Sequence, residues 1–263
     1  MKEIFKKIHV IFSTFLFDPL RLIANWRAFP NYIVNFRKYN RLNKKSGTPF
    51  KANLKGFYFT TNDKYLPAGS INNHYFFQDM WAAKKLFNDG VKKHVDVGSR
   101  IDGFVAHILP FCNVDYVDIR ELEKVDEKLN FIQGSILDLP YDSNSIISLS
   151  CLHVIEHIGL GRYGDPIDPE GYITAAKELS RVLSVDGTLY FSTPTGQENL
   201  YFDAHRVFNP NTISAIFHDL DLLSFDFIDD KSKGINYNAS FNDVLDLKYG
   251  CGLYKFTKRK ATV

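Results

Sequence analysis

Asp96-Val97-Gly98-Ser99-Arg100-Ile101-Asp102-Gly103 is the first stretch whose residue types and spacing suit chemistry, and Asp118 closes the next apolar run 20 residues after Gly98. Glycines behind an acidic residue let the backbone turn tightly beneath a ligand. A carboxylate at that distance can accept both hydroxyls of a ribose. Asp96, Gly98, Ser99, Arg100, Gly103 and Asp118 therefore point together to an adenosine-bearing ligand. There is no P-loop lysine and no second nucleotide half.

A second group of residues carries acid–base and anion-binding chemistry. His153, Glu156 and His157 end the apolar run that starts at Ile146, and His205 lies within Asp203-Ala204-His205-Arg206. Histidine titrates near neutrality, so His157 and His205 are candidate general bases, with Glu156 beside them. His153 is either a wall of the ligand site or a core residue on its strand. The loop 159–166 (GLGRYGDP) holds too few apolar residues to be explained by packing. Arg162, Tyr163 and Asp165 in it, with Arg206, are expected to shape an acceptor pocket, the arginines holding a phosphate or carboxylate. The alternative is a loop ordered by its own ion pairs. His157, Asp165, Asp168 and His205 offer imidazole and oxygen donors for a divalent ion, but no tight ligand spacing supports it, so no metal is assigned.

The elements that must position these residues read as alternating strands and helices. Strands are expected at 94–98, 114–119, 130–134, 146–153, 188–193, 222–228 and 252–257, and helices at 79–88, 103–111, 172–183 and 211–217. Strands rich in Val, Ile and Phe between helices of about ten residues predict a parallel sheet covered on both faces. In such a sheet, ligands sit outside the carboxyl ends of the strands, where all the candidate residues fall.

From residue 91 to 230 the motifs resemble the class I S-adenosylmethionine-dependent methyltransferases: an acidic, glycine-containing turn, an acidic end to strand two, then GSILDLP and HVIEH. HYFFQDMW, HVDVGSRIDGFVAHI, VDIR, LHVIEHIGLGRYGDPIDPEG and DAHRVFNP are similar to a family catalogued only as a domain of unknown function. Its members resemble methyltransferases and are often linked to surface-polysaccharide genes. The resemblance implies a Rossmann-like α/β fold, S-adenosylmethionine as cofactor, and a glycan acceptor, small or lipid-linked. It also implies that residues 74–79 form a flap over the cofactor. Two departures stand out. Arg100 occupies the place of the pattern's second glycine, where it either pairs with the methionine carboxylate or narrows the pocket. Ser135 replaces the aspartate that takes the adenine amino group, leaving adenine to the backbone of Ile136.

Charge divides the chain. Residues 1–55 carry twelve Lys/Arg against two Asp/Glu, and the remainder twenty against 28. A basic arm on an acidic body suggests an anionic partner for the arm. The apolar run 8–17 is too short to cross a bilayer, which takes about 20 residues, and no small-residue cleavage site follows it. Ile4, Ile8, Ile11, Phe12 and Phe15 form one helical stripe; Leu22, Trp26, Phe29, Ile33 and Phe36 form another, bordered by arginines and lysines. Such helices suit an anionic headgroup layer, with packing on the domain or in a homodimer as the alternative and nucleic acid disfavoured. Cys112, Cys151 and Cys251 are too scattered for a zinc finger or a disulfide framework, which fits a reducing compartment.

The resulting expectation is a basic amphipathic extension over 1–55 and a methyltransferase-like domain over 56–263. The chain would be cytoplasmic, peripheral at the inner membrane face, and would methylate a sugar hydroxyl. A catalytically inactive scaffold of glycan assembly is the rival from another class. An NAD-dependent oxidoreductase is disfavoured by the single nucleotide half and the lack of any Tyr-x-x-x-Lys pair.

Overall fold

The computed structural model describes residues 19–46, 48–50, 52–53 and 74–260; the stripe within 4–15 and most of the irregular stretch 47–69 lie outside the described residues. The chain divides into two compact units, Met1–Ser70 and Ile71–Val263.

In the first unit, helix α1 (Pro19–Ser46) ends on Lys44 and Lys45, cations that suit the negative end of the helix dipole. Tyr39 donates to the Phe50 carbonyl (2.9 Å) and Asn40 to the Ala52 carbonyl (3.1 Å), so the following segment lies back along the helix. Trp26 is 75% exposed, and Val34 and Leu42 are also exposed. Among the described residues, no helix is long and apolar enough to cross a membrane.

The second unit opens with α2 (His74–Asn88), followed by β1 (Lys93–Val97), α3 (Ala106–Ile108), β2 (Asn113–Asp118), β3 (Leu129–Gln133) and β4 (Ile146–Leu152). Then come α4 (Gly171–Val182), β5 (Leu183–Thr195), β6 (Asn199–Tyr201), β7 (His205–Val207), α5 (Pro210–Ile216), β8 (Leu220–Ile228) and β9 (Gly250–Lys258). Seven strands form one sheet in the order β3-β2-β1-β4-β5-β9-β8. The first five run parallel, and β9 is antiparallel to both β5 and β8. Strand order reverses between β1 and β4, the place where a crevice opens in such sheets.

Strand alternation divides the core in two. Val95 and Val97 of β1 join Leu179 of α4 and Phe217 in the larger cluster. On the other face Trp81 and Leu86 of α2 pack with Phe104, Ile108 and Leu253. Helices therefore cover both faces, as the alternating pattern required. Trp81 also donates to the buried Asp226 carboxylate at 2.7 Å, which ties α2 to β8.

Several elements differ from expectation. The helix expected at 103–111 begins as a π-helical turn, Ile101–Val105, because Gly103 takes φ −116°, ψ −106°. A Cβ there would stand 2.3 Å from Asp79 Oδ2, so this glycine serves the close approach of α2. Residues 74–79 are the first turns of α2 rather than a flap. The strand expected at 188–193 extends to Leu183–Thr195 because β9 pairs along nearly all of it. The hairpin β6–β7 has no apolar alternation to announce it.

Candidate functional site

A cavity of about 720 Å³ opens at the carboxyl ends of β1, β2 and β4, a size that suits a small molecule. Gly98 ends β1 with φ +71°, and a Cβ on it would meet Val154 at 3.2 Å; only glycine serves this turn without strain. Beneath it, Asp96 accepts from the Ser99 amide (3.0 Å) and hydroxyl (2.7 Å), and Ser150 bonds its second oxygen. Burial pushes the Asp96 carboxyl up to about 6 despite these bonds. Asp96 and Gly103 are thus the frame of the turn, while Gly98, Ser99 and Arg100 line the cavity.

Ser150 also faces His94. The imidazole lies 2.8 Å from both Ser150 and Ser148. Ser150 gives its proton to the ionised carboxylate, so it accepts from His94 Nε2, and His94 Nδ1 accepts from Ser148. A neutral ring completes the chain, and burial holds its pKa down at about 3.

Asp118 ends β2 on the cavity wall. Its Oδ1 accepts from the Arg120 backbone amide and Nε (2.9 Å each), and Oδ2 from Arg120 Nη2 (2.8 Å). The Tyr116 hydroxyl stands 3.0 Å from Oδ2 and from the Ser99 carbonyl, its one proton serving either. Burial works to raise the Asp118 pKa, but Arg120 outweighs it and holds the carboxyl below its usual range. Arg120 fills three acceptor positions of the carboxylate, and the fourth is filled when the Tyr116 proton is directed to it. Arg120 was not singled out in the sequence, although the VDIR segment places it two residues beyond the strand end.

The remaining sequence-selected residues fall in two groups. Ser135, Ile136, His153, His157, Tyr163 and Asp165 line the cavity with Asp118. His157 Nδ1 lies 2.6 Å from the Ala204 carbonyl; that bond needs the proton on Nδ1 and leaves Nε2 as the basic nitrogen. Arg162 donates to the same carbonyl at 2.8 Å, and the Arg120 and Arg162 guanidiniums both approach Tyr163, 4.8 and 5.2 Å from its ring centroid. Ser135 caps its own turn, accepting from the Leu137 amide. Glu156, His205 and Arg206 lie behind the wall. Arg206 donates to the Ile158 carbonyl (2.7 Å) and covers Tyr172, so its guanidinium is engaged by backbone and ring. Arg100 is paired with Asp102 (2.8 Å) and stacks over Tyr75, turned away from a role as a free cation.

The loop 159–165 is held by Asp165, which accepts from the amides of Gly159 (2.6 Å), Gly161 and Tyr163 (3.3 Å each). Asp168 likewise accepts from the Glu170 amide. These carboxylates are spent on backbone, and the donor set suggested for a cation (His157, Asp165, Asp168, His205) is not gathered. Tyr116 and Cys251, given no site role by the sequence, pack around the strand ends with Gln78 and Asp79. Ser192 donates to Gln78 at 2.6 Å, and Gln78 to Asp79 at 3.0 Å. Only the segment HYFFQDMW gave notice of them.

The sequence profile of a family described as "Caenorhabditis protein of unknown function, DUF268" matches residues 141–248. No curated protein matches the chain. Among solved structures, the chain is similar to the [4+2]-cyclase SpnF, with a TM-score of 0.52 at 11% identity over 69% of this chain and 80% of that one. It is equally similar to the 1,6-didemethyltoxoflavin-N1-methyltransferase of Burkholderia thailandensis, solved with S-adenosylhomocysteine bound. There the TM-score is 0.51 at 14% identity, over 70% of this chain and 80% of the other. At such identities the likeness concerns the fold, and a cyclase and a methyltransferase share it. The chain has the Rossmann-like α/β fold of the S-adenosylmethionine-dependent methyltransferases.

Proposed function

We propose that the chain is a class I S-adenosylmethionine-dependent methyltransferase that acts on a sugar hydroxyl of a cell-surface glycan or its lipid-linked precursor. The observation that carries the reading is the crevice between the Gly98 turn and Asp118, at the reversal of strand order. The cofactor fits these residues: a bare Gly98 leaves room for backbone to approach it, and Asp118 offers a carboxylate to its ribose once Arg120 gives way. The polysaccharide acceptor is favoured by the sequence resemblance alone.

When bound, the cofactor supplies an electrophilic methyl group. His157, its Nδ1 anchored on the Ala204 carbonyl, would take the proton of the acceptor hydroxyl at Nε2 as that oxygen accepts the methyl group. Glu156 Oε1 stands 3.8 Å from that nitrogen. Arg162 and Tyr163 border the acceptor side.

Calorimetric titration with S-adenosylhomocysteine tests this. Asp118→Ala should weaken binding by about ten- to a hundredfold, the cost of losing one partner of a charged hydrogen bond. Absence of binding to the parent protein at millimolar concentration would defeat the reading. It would promote an inactive scaffold of glycan assembly, which the occupation of Asp118 acceptor positions by Arg120 and Tyr116 favours.

We further propose that the basic arm rests on an anionic membrane surface. Its twelve cations and the exposed Trp26 and Val34 on α1 support this. Each lysine or arginine near such a surface contributes about 1 kcal/mol.

A further inference from the structure

We propose that His74, His153 and Cys251 form a binding site for a zinc-class divalent ion, with the Glu156 carboxylate fixing His153 from behind. The three come from distant parts of the chain: the start of α2, the end of β4 and the second residue of β9. All three are buried, and their candidate donor atoms lie within 4.8 Å of one another. His153 Nε2 is 3.2 Å from Cys251 Sγ. Nitrogen and sulfur bound to one tetrahedral zinc stand about 3.5 Å apart, so the His153–Cys251 pair is already near ligand separation and the His74 ring must draw in to close the set.

The surroundings of His153 strengthen the assignment. Its other nitrogen, Nδ1, lies 3.0 Å from Glu156 Oε1. A carboxylate on the far nitrogen fixes the ring and turns the Nε2 lone pair toward the metal position, as it does behind most metal-binding histidines. Glu156 is 1% exposed, and Oε2 has no hydrogen-bond partner among the described residues. Two imidazoles, His153 at 3.0 Å and His157 at 3.8 Å, are thin compensation for a carboxylate at that depth, and a divalent ion on the His153 ring would balance it. His153 also adopts φ +54°, a left-handed conformation that persists only where the surroundings over-determine it.

Two imidazoles and a thiol are donors that select zinc over magnesium or calcium. Binding converts the Cys251 thiol to a thiolate bonded to the ion, and the proton leaves to solvent. Three protein donors leave a fourth position for water or another ligand, and His153 is also part of the cavity wall. The metal-free alternative is a closed hydrogen-bond chain, in which the Cys251 thiol donates to Nε2 while Nδ1 donates to Glu156.

The experiment uses the full-length chain, stripped with chelator and kept reduced, titrated with zinc against a competing indicator and separately with cobalt. One zinc per chain is expected, and cobalt should give a near-ultraviolet thiolate-to-metal band. Cys251→Ser should abolish the band and weaken zinc at least tenfold, whereas Cys112→Ser should keep both. Glu156→Gln should weaken zinc by about ten- to a hundredfold. In case Cys251→Ser folds poorly, the melting temperature of the parent protein is a second readout, and saturating zinc should raise it. The proposal is overturned if the folded parent takes up no zinc at micromolar concentration. Equal uptake by Cys251→Ser and His153→Ala overturns it too. An S-adenosylhomocysteine titration of the same sample reports separately on the cofactor crevice.

Discussion

At the β1–β2 end of the cavity the polar contacts are made by residues 96–120 together with Ser150 and Leu152 of β4: Asp96 accepts from Ser99 and Ser150, and Asp118 from Arg120 and Tyr116. At the histidine end the groups arrive from α2, the end of β4, the β6–β7 turn and β9. There, among the described residues, both Glu156 oxygens and His205 Nε2 are buried without a hydrogen-bond partner, Oε1 having only its ion-pair contact with His153. The two ends therefore respond to a ligand in opposite ways. On the proposed function, binding at the first would be an exchange, in which a ribose displaces a guanidinium. Binding at the second is an addition, in which an incoming proton, hydroxyl or ion satisfies groups that lack a partner.

The largest test of this contrast is kinetic. Replacing His157 by Ala should cost about 10²- to 10⁴-fold in methyl-transfer rate once an acceptor is identified. Affinity for S-adenosylhomocysteine should hold within a fewfold. Equal loss of rate and affinity would mean that the two ends do not act separately. His205→Ala is the companion measurement, since its ring lies behind the wall, packed on Tyr201 and Tyr249.

The β1–β2 end has its own signature in acid. Burial lowers the His94 pKa to about 3, against 6.5 when unfolded. The unfolded chain therefore binds the proton first as pH falls. Stability from the neutral ring is full above 6.5 and is lost as pH drops toward 3. Between pH 6.5 and 5 this amounts to about 2 kcal/mol, which His94→Gln should largely remove from urea-unfolding curves. Asp96 opposes it: its raised carboxyl favours the folded state as pH falls below about 6, so the comparison must be made between parent and variant.

Arg120→Ala sharpens the exchange idea. If the ribose competes with this guanidinium, its removal should tighten S-adenosylhomocysteine by a fewfold, seen in the same titration; weaker binding would make Arg120 a ligand contact instead. The smallest effect on the cavity should come from the arm. The full-length protein should co-sediment with anionic vesicles and be partly released by salt, and deleting residues 1–17 should weaken that co-sedimentation while cofactor affinity is unchanged. Aggregation or a change in oligomeric mass would instead identify the apolar stripe as an internal or dimer contact.

What could be read in the sequence follows the same division. Asp96, Gly98 and Asp118 were legible because two strands and one turn fix their separation, so spacing along the chain stands for distance in space. His153, Glu156 and His157 were visible as a cluster for the same reason. The partners of His153 were not: Cys251 lies 98 residues away and reads as one apolar position of a strand. The reach of β9 between β5 and β8 brings it there, and no local pattern reports that pairing. Gly103 was legible as a glycine but not by role, since Asp79 is the group that needs its missing Cβ.

Tyr163 touches both ends at once. Arg120, which lies against its ring, belongs to the turn after β2, and Arg162, which also lies against it, to the loop after β4. A ligand that takes Asp118 from Arg120 frees that guanidinium from its carboxylate and unsettles its contact with the ring. An exposed cation–aromatic contact is worth about 0.5–1 kcal/mol, or roughly two- to fivefold in the population of the stacked loop. Occupancy of the adenosine crevice is thereby felt, in modest measure, by the segment that borders the acceptor, and residence times at the two sites become linked without either ligand touching the other.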